Sequence, residues 1–285
     1  RLAQPARVPH PPAGPAVTWG ELPATERAYV GALTGRLQES LGPDLLGLYL
    51  FGSAAYGGYR PGRSDLDVQG VVRRALCAAH KRALAGRLLH ASLPCPAKGL
   101  ELVLYRAEVA ARPSAPPPFE INLNTGVGVA ERVGFDISAE PAAHWFVLDL
   151  AIGRETGLPL VGPPPEALIG PTPRPVALAA ALESVRWHRA AERDLSNAVL
   201  NAARARRFAR AGRWGPKDAA GEWEVTRGGA AVVVAALAAR RSPEAPALDP
   251  IATAAYLAEV EEELHAAVAK TDPGPVSGRH GVNAI

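Results

Sequence analysis

Two aspartates one residue apart, Asp65 and Asp67, stand in "SDLDVQGVV", a stretch that otherwise reads as a buried strand. On a strand, residues i and i+2 project from one face, so the two carboxylates are neighbours. Two such anions repel unless a cation lies between them, and burying them unpaired is costly. A divalent metal resolves the conflict. Carboxylate oxygens suit hard ions such as Mg²⁺, which binds one or two carboxylates together with substrate phosphates. Glu101 supplies a third acid on a separate apolar strand, "LELVLYR", where a charge is otherwise out of place. If that strand pairs beside 65–72, Asp65, Asp67 and Glu101 face one site. Three acids on adjacent strands fit two-metal phosphoryl or nucleotidyl transfer.

Gly52-Ser53 offers the other half of such a site. The apolar run "LLGLYLF" ends there, and eleven residues separate Ser53 from Asp65. A strand that ends in Gly-Ser before a helical turn aims backbone N–H groups outward and makes a phosphate seat. Glycine lets the backbone approach closely. The Ser53 hydroxyl can donate to a phosphate oxygen, and Ser64, just before Asp65, adds another. Farther along, Asp194, Asn197, Asn201 and Arg204 fall at i, i+3, i+7 and i+10 of an expected helix. They form one polar stripe between alanine-rich faces, which reads as facing a cleft. Lys217 follows Pro216 at an expected helix start.

These residues need elements to position them. Residues 24–41 carry Tyr29, Val30, Leu33, Leu37 and Leu41 at helical spacing, and Gly42-Pro43 ends the helix. Strands are expected over 45–51, 65–72, 99–109 and 119–126, with a helical turn and loop after the first and a helix over roughly 75–91 after the second. In the third strand Glu101, Val103 and Tyr105 share one face, with Leu100, Leu102 and Leu104 on the other. "ARPSAPPP" (111–118) is a loop, and 144–157 is a helix that stops at Gly157 before Pro159. Proline-rich 160–175 marks a boundary, beyond which 176–192, 193–211, 216–225, 230–241 and 249–270 all read as helices. The fold class is therefore α+β: a small mixed sheet in residues 23–170, then a helical bundle in 171–272. A proline-rich arm (1–22) and a flexible tail (273–285) flank them.

The 285 residues are 48% hydrophobic and 21% charged, which fits a globular chain rather than a disordered one. A net charge of +3 without a dense basic block argues against a nucleic-acid partner but is compatible with a polyphosphate. No run of about 18 apolar residues predicts a membrane span. Cys77 and Cys95 make neither a disulfide framework nor a zinc pattern and read as free thiols. A cytoplasmic location is expected.

"LFGSAAYGGYRPGRSDLDV" resembles the signature of the polymerase-beta-type nucleotidyltransferase superfamily. More narrowly, "LELVLYR", "GLPLVGPPPEALI" and "RDLSNAVLNAARARRFARAGRWGPKDAAGEW" resemble the bacterial aminoglycoside adenylyltransferases that modify streptomycin and spectinomycin. The likeness covers roughly residues 45–225. It implies transfer of AMP from ATP, with Mg²⁺, to a drug hydroxyl. Asp65 and Asp67 would hold the metal, and Glu101 would be the general base and a further metal ligand. Gly52, Ser53 and Ser64 would seat the triphosphate, Arg204 and Lys217 would close over the nucleotide, and Asp194, with Asn197 beside it, would meet a cationic aminoglycoside or aminocyclitol acceptor. The acceptor side departs from the family. Gly126 stands where those enzymes carry a tryptophan after the third-acid strand, Ala190 replaces an acid of the streptomycin-modifying members, and His144-Trp145 replaces an acidic nucleotide contact. Glu120 and Asp136 are further acids able to attract a cation. Two other functions fit the motif less well: adenylyl transfer to a protein or RNA target, and a nucleotide-binding regulator with lapsed catalysis.

Overall fold

The computed structural model describes residues 22–55, 58–242 and 244–271. The arm up to residue 21 and the tail from residue 272 lie outside the described residues. Six strands form one mixed sheet: β1 (Leu45–Phe51), β2 (Leu66–Val72), β3 (Leu100–Arg106), β4 (Ile121–Thr125), β5 (Arg132–Gly134) and β6 (Leu158–Val161), in the order β5-β4-β3-β2-β1-β6. Only β2 and β3 run parallel. Their connection passes through a helix, α2 (Ala78–Leu88), as a parallel pair requires.

Alternation along the strands builds two cores. Leu48, Leu50, Leu66, Val68, Leu100, Leu102 and Leu104 pack with Val30, Leu33 and Leu37 of α1 (Ala24–Leu41) and with Leu84 and Leu88 of α2. On the other face Tyr49, Val71, Val103 and Tyr105 meet Phe146 and Leu150 of α4 (His144–Thr156). Here the helix comes close, since a Cβ on Gly153 would stand 2.4 Å from Gln69 Oε1.

α4 has a second buried side. Val147, Leu148, Ala151 and Ile152 join the core of the bundle made by α6 (Arg174–Ala191), α7 (Leu195–Ala211), α9 (Ala231–Arg241) and α10 (Pro250–Thr271). α8 (Lys217–Val225) lies against α7. Arg206 of α7 ties these helices together from inside. It reaches Glu224 Oε1 at 2.7 Å, Glu259 Oε1 at 2.7 Å and Glu263 Oε2 at 3.0 Å, with the Tyr256 ring beneath it.

Three expectations change. β3 stops at Arg106, and 107–111 turn into a short helix, α3 (Ala107–Ala111), rather than continuing the strand. β5 is three residues with exposed Arg132 and Val133, too short and too polar to announce itself. β6 carries Pro159, which an edge strand tolerates because one side of it has no ladder to join. Between β6 and α6 lies the one-turn α5 (Pro165–Leu168). Cys77 and Cys95 are free, as expected. No described helix is long and apolar enough to cross a membrane.

Candidate active site

β1 ends, and β2 and β3 begin, at the same end of the sheet, so Gly52, Asp65, Asp67 and Glu101 converge there. In the β2–β3 ladder Asp67 pairs with Glu101, and in the β1–β2 ladder it pairs with Phe51, the residue before Gly52. Strands stand about 4.8 Å apart, so the Asp67 and Glu101 side chains are neighbours on the face that α4 covers. Asp65 sits one residue ahead of β2, with Lys98 Nζ 3.9 Å from its Oδ2. The segment is fastened to its neighbour strand: Leu66 N–H donates to Gly99 O at 2.8 Å and Lys98 N–H to Ser64 O at 3.1 Å.

The Gly-Ser turn is fitted to the acids. Gly52 has φ +64°, in the left-handed region, and opens a 3₁₀ turn over Gly52–Ala54. Ser53 O accepts the Gly58 N–H at 3.2 Å, and Ser64 Oγ accepts the Arg60 N–H at 3.1 Å, so both expected phosphate-contacting serines belong to one closed loop system.

Lys217 and Asp149 complete the charge pattern. Burial, then Asp65, Glu101 and Asp149, push the Asp67 carboxyl well above the usual range, with Lys217 opposing. Burial and Asp65 raise Glu101 to about 7, against Lys98 and Lys217. Burial, then Glu101, raise Asp149 to about 7, against Arg204 and Lys217. Burial, then Arg204 and Arg240, lower Lys217 to about 8, while Asp65 and Asp67 pull it back up. These side chains open onto the cleft and are only half-buried, yet each is crowded by protein and by the others. Among the described residues no three His, Cys, Asp or Glu side chains are gathered closely enough to hold a metal unaided. The acids are set in register without forming a closed cage.

The polar stripe of α7 is a connected hydrogen-bond chain. Lys217 Nζ donates to Asn197 Oδ1 at 2.7 Å, and Asn197 Nδ2 donates to Glu192 Oε2 at 2.7 Å. Both ends of the Asn197 amide are thereby engaged, its oxygen by Lys217 and its nitrogen by Glu192. Arg204 Nη2 donates to Asn201 Oδ1 at 2.7 Å. Asn201 Nδ2 lies 2.9 Å from His188 Nε2, whose Nδ1 is 2.7 Å from Ser184 O. Burial lowers His188 to about 4, so the ring is neutral, with Nδ1–H donating and Nε2 accepting. Asp194 is the N-cap of α7, taking the Asn197 N–H and the Ser196 hydroxyl on Oδ1 while the residue stays exposed.

Other acids have structural employment. Glu120 is buried and bound by Lys81 at 2.9 Å, Arg106 at 3.1 Å and the Leu76 N–H at 2.8 Å. Asp136 caps the Ser138 N–H. Gly126 has φ +149°, and a Cβ there would stand 2.5 Å from Gly99 Cα and 2.8 Å from Lys98 O, so no tryptophan fits this backbone. His144 opens α4 with its ring against Trp145 at 4.8 Å. Sequence reasoning missed Asp149, Lys98 and His188. Asp149 interrupts the apolar run "FVLDLAI", a hint that it faces something polar.

No protein-family model matches the chain. The aminoglycoside (3'')(9) adenylyltransferases of Klebsiella pneumoniae and Escherichia coli are each 32% identical to it over 208 residues, 68% of this chain and 76% of theirs. The crystal structure of spectinomycin adenyltransferase AAD(9) from Enterococcus faecialis, with ATP and spectinomycin, shares the fold: TM-score 0.62 at 19% identity, over 84% of this chain and 98% of that one. By these relatives the chain belongs to the aminoglycoside adenylyltransferase family of nucleotidyltransferases.

Proposed function

We propose that this chain transfers AMP from ATP, with Mg²⁺, to a hydroxyl of an aminoglycoside or aminocyclitol. The observation that carries the reading is the pairing of Asp67 with Glu101 in the parallel ladder, with Asp65 two residues ahead of Asp67 and the Lys217 charge acting on both Asp67 and Glu101. The raised proton affinity of Asp67, Glu101 and Asp149 and the suppressed Lys217 are costly without ligands, and a metal–triphosphate complex relieves both at once.

Mg²⁺ fits this donor set. It takes one or two carboxylates and completes its shell with water and phosphate oxygens, so an open pair such as Asp65 and Asp67 suits it. When bound, it would neutralise charge on the phosphates. The remaining work belongs to the chain. Gly52 and Ser53 present N–H and hydroxyl donors to the triphosphate, and Ser64 adds a hydroxyl. Lys217, held by Asn197, and Arg204, held by Asn201, place positive charge where the α-phosphorus is attacked. Glu101 accepts the proton of the attacking hydroxyl, and a carboxyl raised to about 7 is well matched to that task near neutral pH. Asp194, with Oδ1 on its cap, has Oδ2 to offer a cationic acceptor.

The test is incubation with labelled ATP, Mg²⁺ and a panel of aminoglycosides and aminocyclitols. Drug-dependent pyrophosphate release with labelled drug is expected. ATP binding without turnover on any member would overturn the reading.

A further inference from the structure

Beside the glycine-rich loop lies a cationic cluster that the assignments above leave unused. Arg60 and Arg63 follow the glycine-rich loop, and Arg240 and Arg241 close α9. Arg240 Nη2 lies 3.8 Å from the point where a Gly58 Cβ would stand, and the Ser53 Cβ is 4.0 Å from that same point. A guanidinium of the helical bundle therefore reaches the loop that carries the phosphate seat. Its Nε is 2.5 Å from Asp218 Oδ1, on the residue after Lys217. Arg60 is half-buried, and burial, then Arg240, lower its pKa, with Asp218 opposing and Arg63 and Arg241 adding to the repulsion. Arg240 also pushes Lys217 down. The carboxylates available here are already taken, Asp218 by Arg240 and Glu222 by Arg241. Arginines gathered this way against few anions are costly at rest and favour a multivalent anion between them. Planar guanidinium forks suit phosphate oxygens.

We infer that Arg60, on the loop, and Arg240, reaching that loop from α9, together grip the β- and γ-phosphates of the nucleotide and hold the pyrophosphate leaving group. This rests on the adenylyl-transfer reading. As the acceptor oxygen bonds to the α-phosphorus, the bond from that phosphorus to its bridging oxygen breaks. The electron pair leaves with pyrophosphate, and the guanidinium donors meet the charge that develops there.

Titration calorimetry with inorganic pyrophosphate and with AMP, in Mg²⁺ buffer, tests the inference on wild type, R60A, R240A and R240K, each checked for folding by circular dichroism. R60A and R240A should weaken pyrophosphate binding at least about tenfold, or about 1.4 kcal/mol, while AMP affinity stays within about twofold. R240K should recover part of the loss, because lysine keeps the charge but not the fork. Unchanged pyrophosphate affinity in both alanine variants, or an equal loss for AMP, overturns it. The wild type separates the two levels. If it binds neither ligand, the adenylyl-transfer reading fails; if it binds both and the variants are unaffected, only the arginine grip fails.

Discussion

A Cβ placed on Gly52 would stand 1.7 Å from Asp67 Oδ2 and 2.7 Å from its Cγ. The Gly52-Ser53 loop and the acid under it are thus fitted atom against atom, and the positive φ of +64° at Gly52 adds a second reason for glycine. Gly52→Ala should therefore displace both halves of the site. We expect a stability loss of about 1–3 kcal/mol in urea unfolding and a fall in transfer rate of about 100-fold. Near-normal turnover in that variant would mean that the loop and acid do not act together.

Asp67 is charged only at a cost in the ligand-free protein, because burial and three neighbouring acids oppose its ionisation. A neutral asparagine removes that cost. Asp67→Asn should raise the melting temperature measured without Mg²⁺ or nucleotide, while abolishing transfer. Asp65→Asn should also abolish transfer in a folded protein. A lower melting temperature for Asp67→Asn would show that the resting carboxylate has a stabilising partner.

The pH dependence follows from two opposed ionisations. Glu101 accepts a proton only when ionised, so activity should rise through its pKa of about 7. Lys217 helps only when charged, so activity should fall through its pKa of about 8. The kcat/KM profile of the free enzyme should be a narrow bell. Lys217→Arg should carry the alkaline limb out of range, since arginine stays protonated. Glu101→Gln should bind ATP and be nearly inactive at every pH. An alkaline limb unmoved in Lys217→Arg would assign that limb to another group.

Asn197 Oδ1 receives the Lys217 ammonium at 2.7 Å, a contact that gives the residue work on the nucleotide side under the proposed function. Asn197→Leu should lower kcat/KM for ATP about tenfold through loss of this hydrogen bond to a charged group, with the KM for the drug little changed. Steady-state kinetics with each substrate varied in turn checks this. An effect confined to the drug's KM would return Asn197 to the acceptor side.

The acids and their strands were legible because they break a pattern. Asp65, Asp67 and Glu101 stand in runs whose alternate residues, Leu66, Val68, Leu100 and Leu102, are fully buried, so a charge between them stood out as a candidate for chemistry. β1, β2 and the bundle helices were equally plain from their periodicity. Asp149 was hidden because a single acid in a helix reads as solvent-facing, and only the packing of α4 on the sheet turns it inward. The hydrogen bond from Lys217 to Asn197 could not be read from spacing, since i, i+3 and i+7 fix a shared side of a helix and say nothing of what α8 brings to it. β5 and β6 escaped because strands of three and four residues, one holding a proline, gain their identity from neighbours.

α4 contributes Phe146 and Leu150 to the core beneath the sheet, and Val147, Leu148, Ala151 and Ile152 to the core of the bundle. A fragment ending near residue 170 would leave that second apolar stripe bare, and a fragment beginning there would lack one wall of its interior. The two halves should therefore melt in a single cooperative transition. Recombination between relatives that exchanges the bundle helices would have to carry a matching α4 stripe with them, so change in this chain is reached more readily by single substitutions than by trading halves.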